Sequence, residues 1–249
     1  MAEQRELIRR VEDLASRCEK NGQTTHTHFL TPAEQYWIQQ WAPHHTPCRL
    51  VCTCGVPNCE RNVAYFLSPW TEEEPDVSQD LTALEITAGF GTPGHRDYLG
   101  AILGLGIDRE WCGDILLKDN VATIICFKSV AFTIQSELTH VGRFGVKIKE
   151  IPLSEVSPRV LKVKEVTFTV QSLRLDAVAS SLFGLSRTAV AKLIRGGLVQ
   201  LNYDLCEKPD AAVDAGDVLS IRGYGKAILR EIGGESRKGR TYCIGERYL

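Results

Sequence analysis

The stretch "SRTAVAKLIRGGLVQLN", Ser186 to Asn202, contains three charged side chains, Arg187, Lys192 and Arg195, and all are basic. Cations spaced along one short helix neutralise phosphates and release the counterions condensed around a nucleic acid. A serine hydroxyl and the amides of a helix N-terminus add hydrogen bonds to phosphate oxygens. The spacing predicts a helix between an N-cap at Ser186 and a stop at Gly196-Gly197. Within it, Ala189, Val190, Leu193 and Ile194 form a stripe for burial. Thr188, Lys192 and Arg195 recur at i, i+4 and i+7 on the opposite face. Arg187 falls in the first turn, where a cation opposes the helix dipole, so helix stability does not explain it. The competing reading of such a face is an ordinary solvated surface.

The chain around this helix has 249 residues and a net charge of −2, with 43% hydrophobic and 24% charged residues. Those proportions exclude disordered and collagen-like classes. The charge is unevenly placed: residues 159–249 carry 15 Lys and Arg against 10 Asp and Glu, while residues 1–158 carry 14 against 21. A basic C-terminal part on an acidic body points to an anionic partner. No apolar run approaches the roughly 18–20 residues of a membrane helix. The start, "MAEQRELIRRVEDLASRCEK", lacks the apolar centre of a signal peptide. Nine scattered cysteines fit reduced thiols, so the expected location is the cytoplasm.

The elements that must position the basic helix follow from periodicity. Helices are expected over 3–20 and from Thr31-Pro32 to just before Pro43, then strands "RLVCTC" and "VAYFL" and an acidic loop over 71–80. The next 72 residues read as strand "LTALEIT", helix "GHRDYLGAILGLG", hairpin "GDILLKDNVATIICF", helix "KSVAFTIQSELTHVG" and strand "GVKIKEIP". That order is β-α-β-β-α-β, a ferredoxin-like split unit. After a connector come "VTFTV", helix "SLRLDAVASSLFG", the basic helix, and short strands "LVQLN", "DVLSIRG" and "KAILREIGG". The predicted class is α+β, with a helical and hairpin region over 1–80 and a ferredoxin-like domain over 81–152. A connector over 153–165 and a C-terminal module with a basic tail over 166–249 complete it.

The C-terminal pattern resembles the alpha-L RNA-binding motif, first described in ribosomal protein S-four. The matching residues are Arg174-Leu175-Asp176, Leu185-Ser186-Arg187, Ala191, Leu193-Ile194, Gly197, Val199, Asn202 and Gly216-Asp217-Val218. The resemblance implies RNA contacts at Arg174, Ser186, Arg187, Lys192 and Arg195. Asn202-Tyr203 departs from the family's Asn-Gly, which predicts a longer or differently shaped turn. The rest of the chain is similar to the bacterial YlmH family, through "FLTPAEQYWI", "CERNVAYFL", "GHRDYLGAILGLGIDREWCGDIL", "ELTHVGRFGVKIKEIP" and "IRGYGKAILREIGGESRKGR". That likeness implies a ribosome-associated protein in quality control of stalled large subunits, holding ribosomal RNA and tRNA while an alanine tail is added. The family is also tied to cell division.

Other motifs compete. Cys48, Cys52, Cys54 and Cys59 suggest zinc, but their spacings do not form paired knuckles, and Cys52 and Cys54 are expected to share one strand face as small hydrophobes. Gly89, Gly91 and Gly94 spell G-x-G-x-x-G, yet the strand that follows enters a hairpin rather than a parallel crossover. His95-Arg96-Asp97 lacks the companions of a kinase loop. Arg96 remains a candidate second RNA or anion contact, against a local role for His95 and Asp97 in satisfying backbone amides. The middle strands lack the exposed aromatic pairs that stack bases, which favours a protein or ribosome contact there.

The sequence therefore predicts a non-enzymatic, monomeric RNA-binding adaptor with no metal, cofactor, membrane or small-molecule partner. Lys226, Arg230, Arg237, Lys238 and Arg240 are expected to extend its basic surface. An RNA-modification enzyme with its site in the acidic half, or a cell-division scaffold, are the alternatives.

Overall fold

The computed structural model describes residues 2–236 and 239–249, with side chains from Gln4 onward. The chain divides into two compact units, Met1–Val160 and Leu161–Leu249.

The first unit opens with α1 (Ala2–Asn21), β1 (Thr25–Leu30), α2 (Pro32–His45), β2 (Arg49–Thr53) and β3 (Asn62–Leu67). Thr31 caps α2 in a reciprocal capping box: its hydroxyl accepts from Glu34 N–H, and its own N–H donates to Glu34 Oε2 at 2.7 Å. The helix does not stop before Pro43 as expected but runs on to His45. So near the C-terminus, Pro43 disrupts only the last turn. β1, which the sequence did not announce, joins β2 and β3 in an antiparallel sheet ordered β1-β3-β2.

The β-α-β-β-α-β order is present as β4 (Leu81–Ala88), α3 (His95–Leu103), β5 (Cys112–Lys118), β6 (Val121–Phe127), α4 (Lys128–Glu137) and β8 (Phe144–Ile151). A two-residue strand, β7 (His140–Val141), extends the antiparallel sheet, ordered β5-β6-β4-β8-β7. α4 ends earlier than the sequence suggested. Gly142, at φ +57, turns the β7–β8 hairpin instead of terminating the helix.

Each face of this sheet is committed at least in part. Leu84, Ile86 and Ile124 pack under Tyr98 and Ile102 of α3 and Ile134 of α4. Leu81, Ala83, Ile125 and Ile151 point the other way and pack against Val63, Tyr65 and Leu67 of β3. Alternate β3 residues, Ala64 and Phe66, face α1 and α2. The two sheets therefore meet face to face, with the N-terminal helices outside.

The second unit comprises β9 (Val163–Val170), α5 (Leu175–Phe183), α6 (Arg187–Arg195), β10 (Val199–Leu201), β11 (Asp204–Leu205), β12 (Val218–Ile221), β13 (Gly225–Glu235) and β14 (Thr241–Tyr248). Its six strands are antiparallel in the order β11-β10-β12-β13-β14-β9. What reads as a basic tail ends in β14, paired with both β13 and β9. α5 and α6 lie on one face, over Leu219, Ile221, Ala227, Leu229 and Cys243. Among the described residues no single helix is long and apolar enough to cross a membrane. α5 and α6 have that apolar length together, but the chain bends 116° between them.

Asn202-Tyr203 makes a two-residue hairpin turn, not a longer one, with φ +52 and +70. Both residues adopt the left-handed conformation that this turn class requires. Asn202 is held by its side chain, which donates to Asp217 Oδ1 at 2.7 Å and accepts from Val218 N–H at 2.9 Å.

Candidate nucleic-acid interface

The bend between α5 and α6 brings the predicted arginines together. Gly184 caps α5 at φ +69, and Ser180 Oγ donates to Leu185 C=O at 2.6 Å, which fixes the turn. Ser186 then caps α6 by accepting from Ala189 N–H at 3.2 Å. The start of α5 is anchored by Leu175 and Asp176 N–H groups donating to Ala211 and Pro209 carbonyls.

Asp176 occupies the centre. Arg174 Nε donates to its Oδ1 at 3.2 Å, and Arg187 Nη2 to its Oδ2 at 2.8 Å. The Asp176 side chain is only 10% exposed, against 43% for Arg174 and 57% for Arg187. Burial alone would push the carboxyl up, but the hydrogen bonds and charges of Arg187 and Arg174 hold it below the ordinary aspartate value. The dipole penalty expected at Arg187 is thus offset by a partner on the neighbouring helix. Each arginine uses one N–H on Asp176, which leaves donors of a planar, oriented guanidinium facing water.

Val190 and Ile194 are fully buried behind this face, with Ala189 and Leu193 half-buried. Lys192 and Arg195 are exposed and enter no ion pair among the described residues. Both sit in the last turn, where a cation suits the helix dipole. The arrangement is a row of cations with one internal counter-charge, suited to phosphates.

The remaining candidate cations lie elsewhere. Leu229 and Gly245 face α5, where Gly245 meets Leu182, so Lys226 and Arg230 project from the opposite sheet face. Lys226 Nζ lies 4.8 Å from the Tyr248 ring centroid, and Arg230 pairs with Glu246 at 2.7 Å. Arg240 donates to Thr169 C=O at 3.0 Å. Lys226 and Arg230 therefore do not continue the α6 surface. Arg237 and Lys238 lie outside the described residues.

In the first unit, Arg96 is exposed in the first turn of α3, while Asp97 Oδ2 accepts from Gly94 N–H at 2.7 Å, a local capping role. His95 lines a cleft of about 1050 Å³ together with Lys118, Glu85 and Arg159. At its end Asp114, buried, accepts from the Glu60 and Arg61 amides at 2.8 and 2.9 Å and staples the β2–β3 loop. The cysteines do not share one face. Cys52 packs towards α1 and α2, whereas Cys54, beyond the end of β2, packs on the other side of the sheet. Among the described residues no three His, Cys, Asp or Glu side chains are grouped to hold a metal.

Comparison with known proteins bears on these two regions. Residues 173–219 match the family model described as "S4 domain", and residues 72–155 that described as "Putative RNA-binding domain in YlmH". The chain is 32% identical over 222 residues, 89% of its length, to "Ribosome-associated protein quality control protein P2" of Bacillus subtilis, covering 86% of that protein. The chain belongs to the YlmH family. A solved structure, "Cell division protein ylmH from Streptococcus pneumoniae", aligns with TM-score 0.54 at 21% identity, over 62% of this chain and 94% of that one. It shares the fold.

In this YlmH-family chain, the sequence singles out Asp176 only as part of the Arg174-Leu175-Asp176 match, with no role of its own. The missed feature is that one carboxylate orients both arginines. The signal available was an acid in the first turn of α5 flanked by Arg174, with Arg187 brought back by the Gly184 turn.

Proposed function

We propose that this chain is a non-enzymatic cytoplasmic adaptor that docks on ribosomal RNA, with tRNA beside it, on the large ribosomal subunit. The α6 face, Arg174, Ser186, Arg187, Lys192 and Arg195, is the docking surface, and the monomer is the active form. The observation that carries this reading is the Asp176-tethered arginine pair beside two cations that enter no ion pair among the described residues. Such a set supplies phosphate neutralisation and fixed donor geometry together. The name of the Bacillus subtilis relative supports a place in ribosome-associated protein quality control. Action on stalled large subunits and support of alanine tailing are what the YlmH resemblance adds to this proposal.

Co-sedimentation with purified large subunits in a sucrose gradient tests it. The wild-type chain should travel with subunits and Arg187→Glu should remain at the top. A wild-type chain that never moves with subunits or free RNA rules the reading out. Altered nucleosides in tRNA incubated with the protein, read by mass spectrometry, would establish an enzyme instead.

A further inference from the structure

The segment Gly89-Phe90-Gly91 joins β4 to α3, and its glycines serve the protein's own packing. Gly89 N–H donates to Gly145 C=O at 3.1 Å, tying the loop to the start of β8. Gly91 has φ +76, and a Cβ there would lie 2.5 Å from a ring carbon of Phe144. Only a glycine allows the loop to lie this close to that ring. The result is that Phe90 turns outward, 71% exposed, with its ring 5.5 Å from Phe144 at 81°. Arg143, on the β7–β8 turn, places its guanidinium carbon 5.2 Å from the Phe144 centroid and enters no ion pair among the described residues.

We propose that this corner stacks an unpaired RNA base on Phe90, with Arg143 meeting the neighbouring phosphate. The inference rests on the RNA-binding reading above and adds a second, chemically different contact to it. An aromatic platform with an adjacent arginine is what single-stranded nucleic acid requires, because every base offers a π-face. A purely apolar protein partner would leave the Arg143 charge to be buried without compensation. The fold also explains the location. Leu81, Ala83, Ile125 and Ile151 bury much of the open sheet face under β3, so an aromatic for stacking must be presented from a loop at the sheet's end. The corner lies within the region matched at residues 72–155.

The test uses the full chain and a fluorescein-labelled single-stranded ribo-oligonucleotide, with the same strand annealed into a duplex as comparison, followed by anisotropy. Phe90→Ala should weaken single-strand binding by roughly tenfold with an unchanged salt slope, because a π-face is lost and no charge. Phe90→Trp should retain affinity, and its added fluorescence should be quenched by the bound base. Arg143→Ala should lower the salt slope by about 0.7, the single-strand value for one phosphate contact. Unchanged single-strand affinity in Phe90→Ala, with RNA binding lost in Arg187→Glu, would overturn the stacking site and leave the proposed function standing. Loss of co-sedimentation by Phe90→Ala with normal oligonucleotide affinity would assign the corner to a ribosomal protein, also overturning it. A wild-type chain that binds no RNA would remove both.

Discussion

Arg187 on α6 and Asp176 on α5, eleven residues apart in sequence, are joined at 2.8 Å across a sharp bend of the chain. The pair converts a flexible surface cation into one with a fixed direction. It also predicts a result opposite to simple charge counting. Asp176→Asn makes the chain more positive, yet RNA affinity should fall several-fold because both guanidiniums lose their anchor. Filter binding at fixed salt checks this, and a tighter complex would contradict the anchoring role.

Lys192 and Arg195 should behave differently, as untethered phosphate contacts. Replacing both by alanine is expected to lower the log–log salt slope by about 1.4 to 1.8, at 0.7–0.9 per phosphate. The unfolding free energy should stay within about 0.5 kcal/mol of wild type, the usual range for exposed positions.

The lowered Asp176 carboxyl makes the second unit acid-sensitive in a definite direction. A depressed folded value means its stabilisation is complete above the unfolded aspartate value of about 3.9 and is lost as pH falls through the lower folded value. Urea unfolding of wild type and Asp176→Asn should therefore converge as the solution is acidified below about pH 4. A gap that stays constant would show that the carboxylate charge is not responsible.

Gly245 lies where β14 passes beneath α5, and a Cβ there would stand 2.3 Å from Leu182 Cδ2 and 3.0 Å from Ile228 O. Gly245→Ala is expected to cost about 1–3 kcal/mol by overpacking. Combining it with Leu182→Ala should recover part of that loss, a coupling that a double-mutant cycle in urea measures directly.

Asn202→Ala removes two side-chain hydrogen bonds and leaves an alanine at φ +52. The expected cost is about 2 kcal/mol, from a bared Val218 amide and a strained backbone. Thermal unfolding followed by circular dichroism provides the measurement.

The α6 stripe and the β-α-β-β-α-β order were legible because each depends on regular local periodicity. β1, "THTHFL", was not, since His26 and Thr27 interrupt an apolar pattern and the strand carries a register shift between His26 and Phe29. β14, "TYCIGERY", escaped for a related reason: one of its inward positions is Gly245, which contributes no hydrophobic signal. Gly142 reads as a helix stop in either context, and only the β7–β8 pairing decides its role. The separation of Lys226 and Arg230 from α6 depends on which side of β13 each residue takes, a parity set by distant contacts. The Arg187–Asp176 pair depends on the bend between two helices, which no spacing rule encodes.

The face-to-face contact of Val63, Tyr65 and Leu67 with Leu81, Ala83, Ile125 and Ile151 has a consequence for how the chain comes into being. During synthesis β3 emerges first, but the surface that shelters it is incomplete until β8 follows. Each half has an interior of its own, but the one they share closes only when both are present. A nascent chain halted between these two strands would display an uncovered sheet to chaperones and proteases.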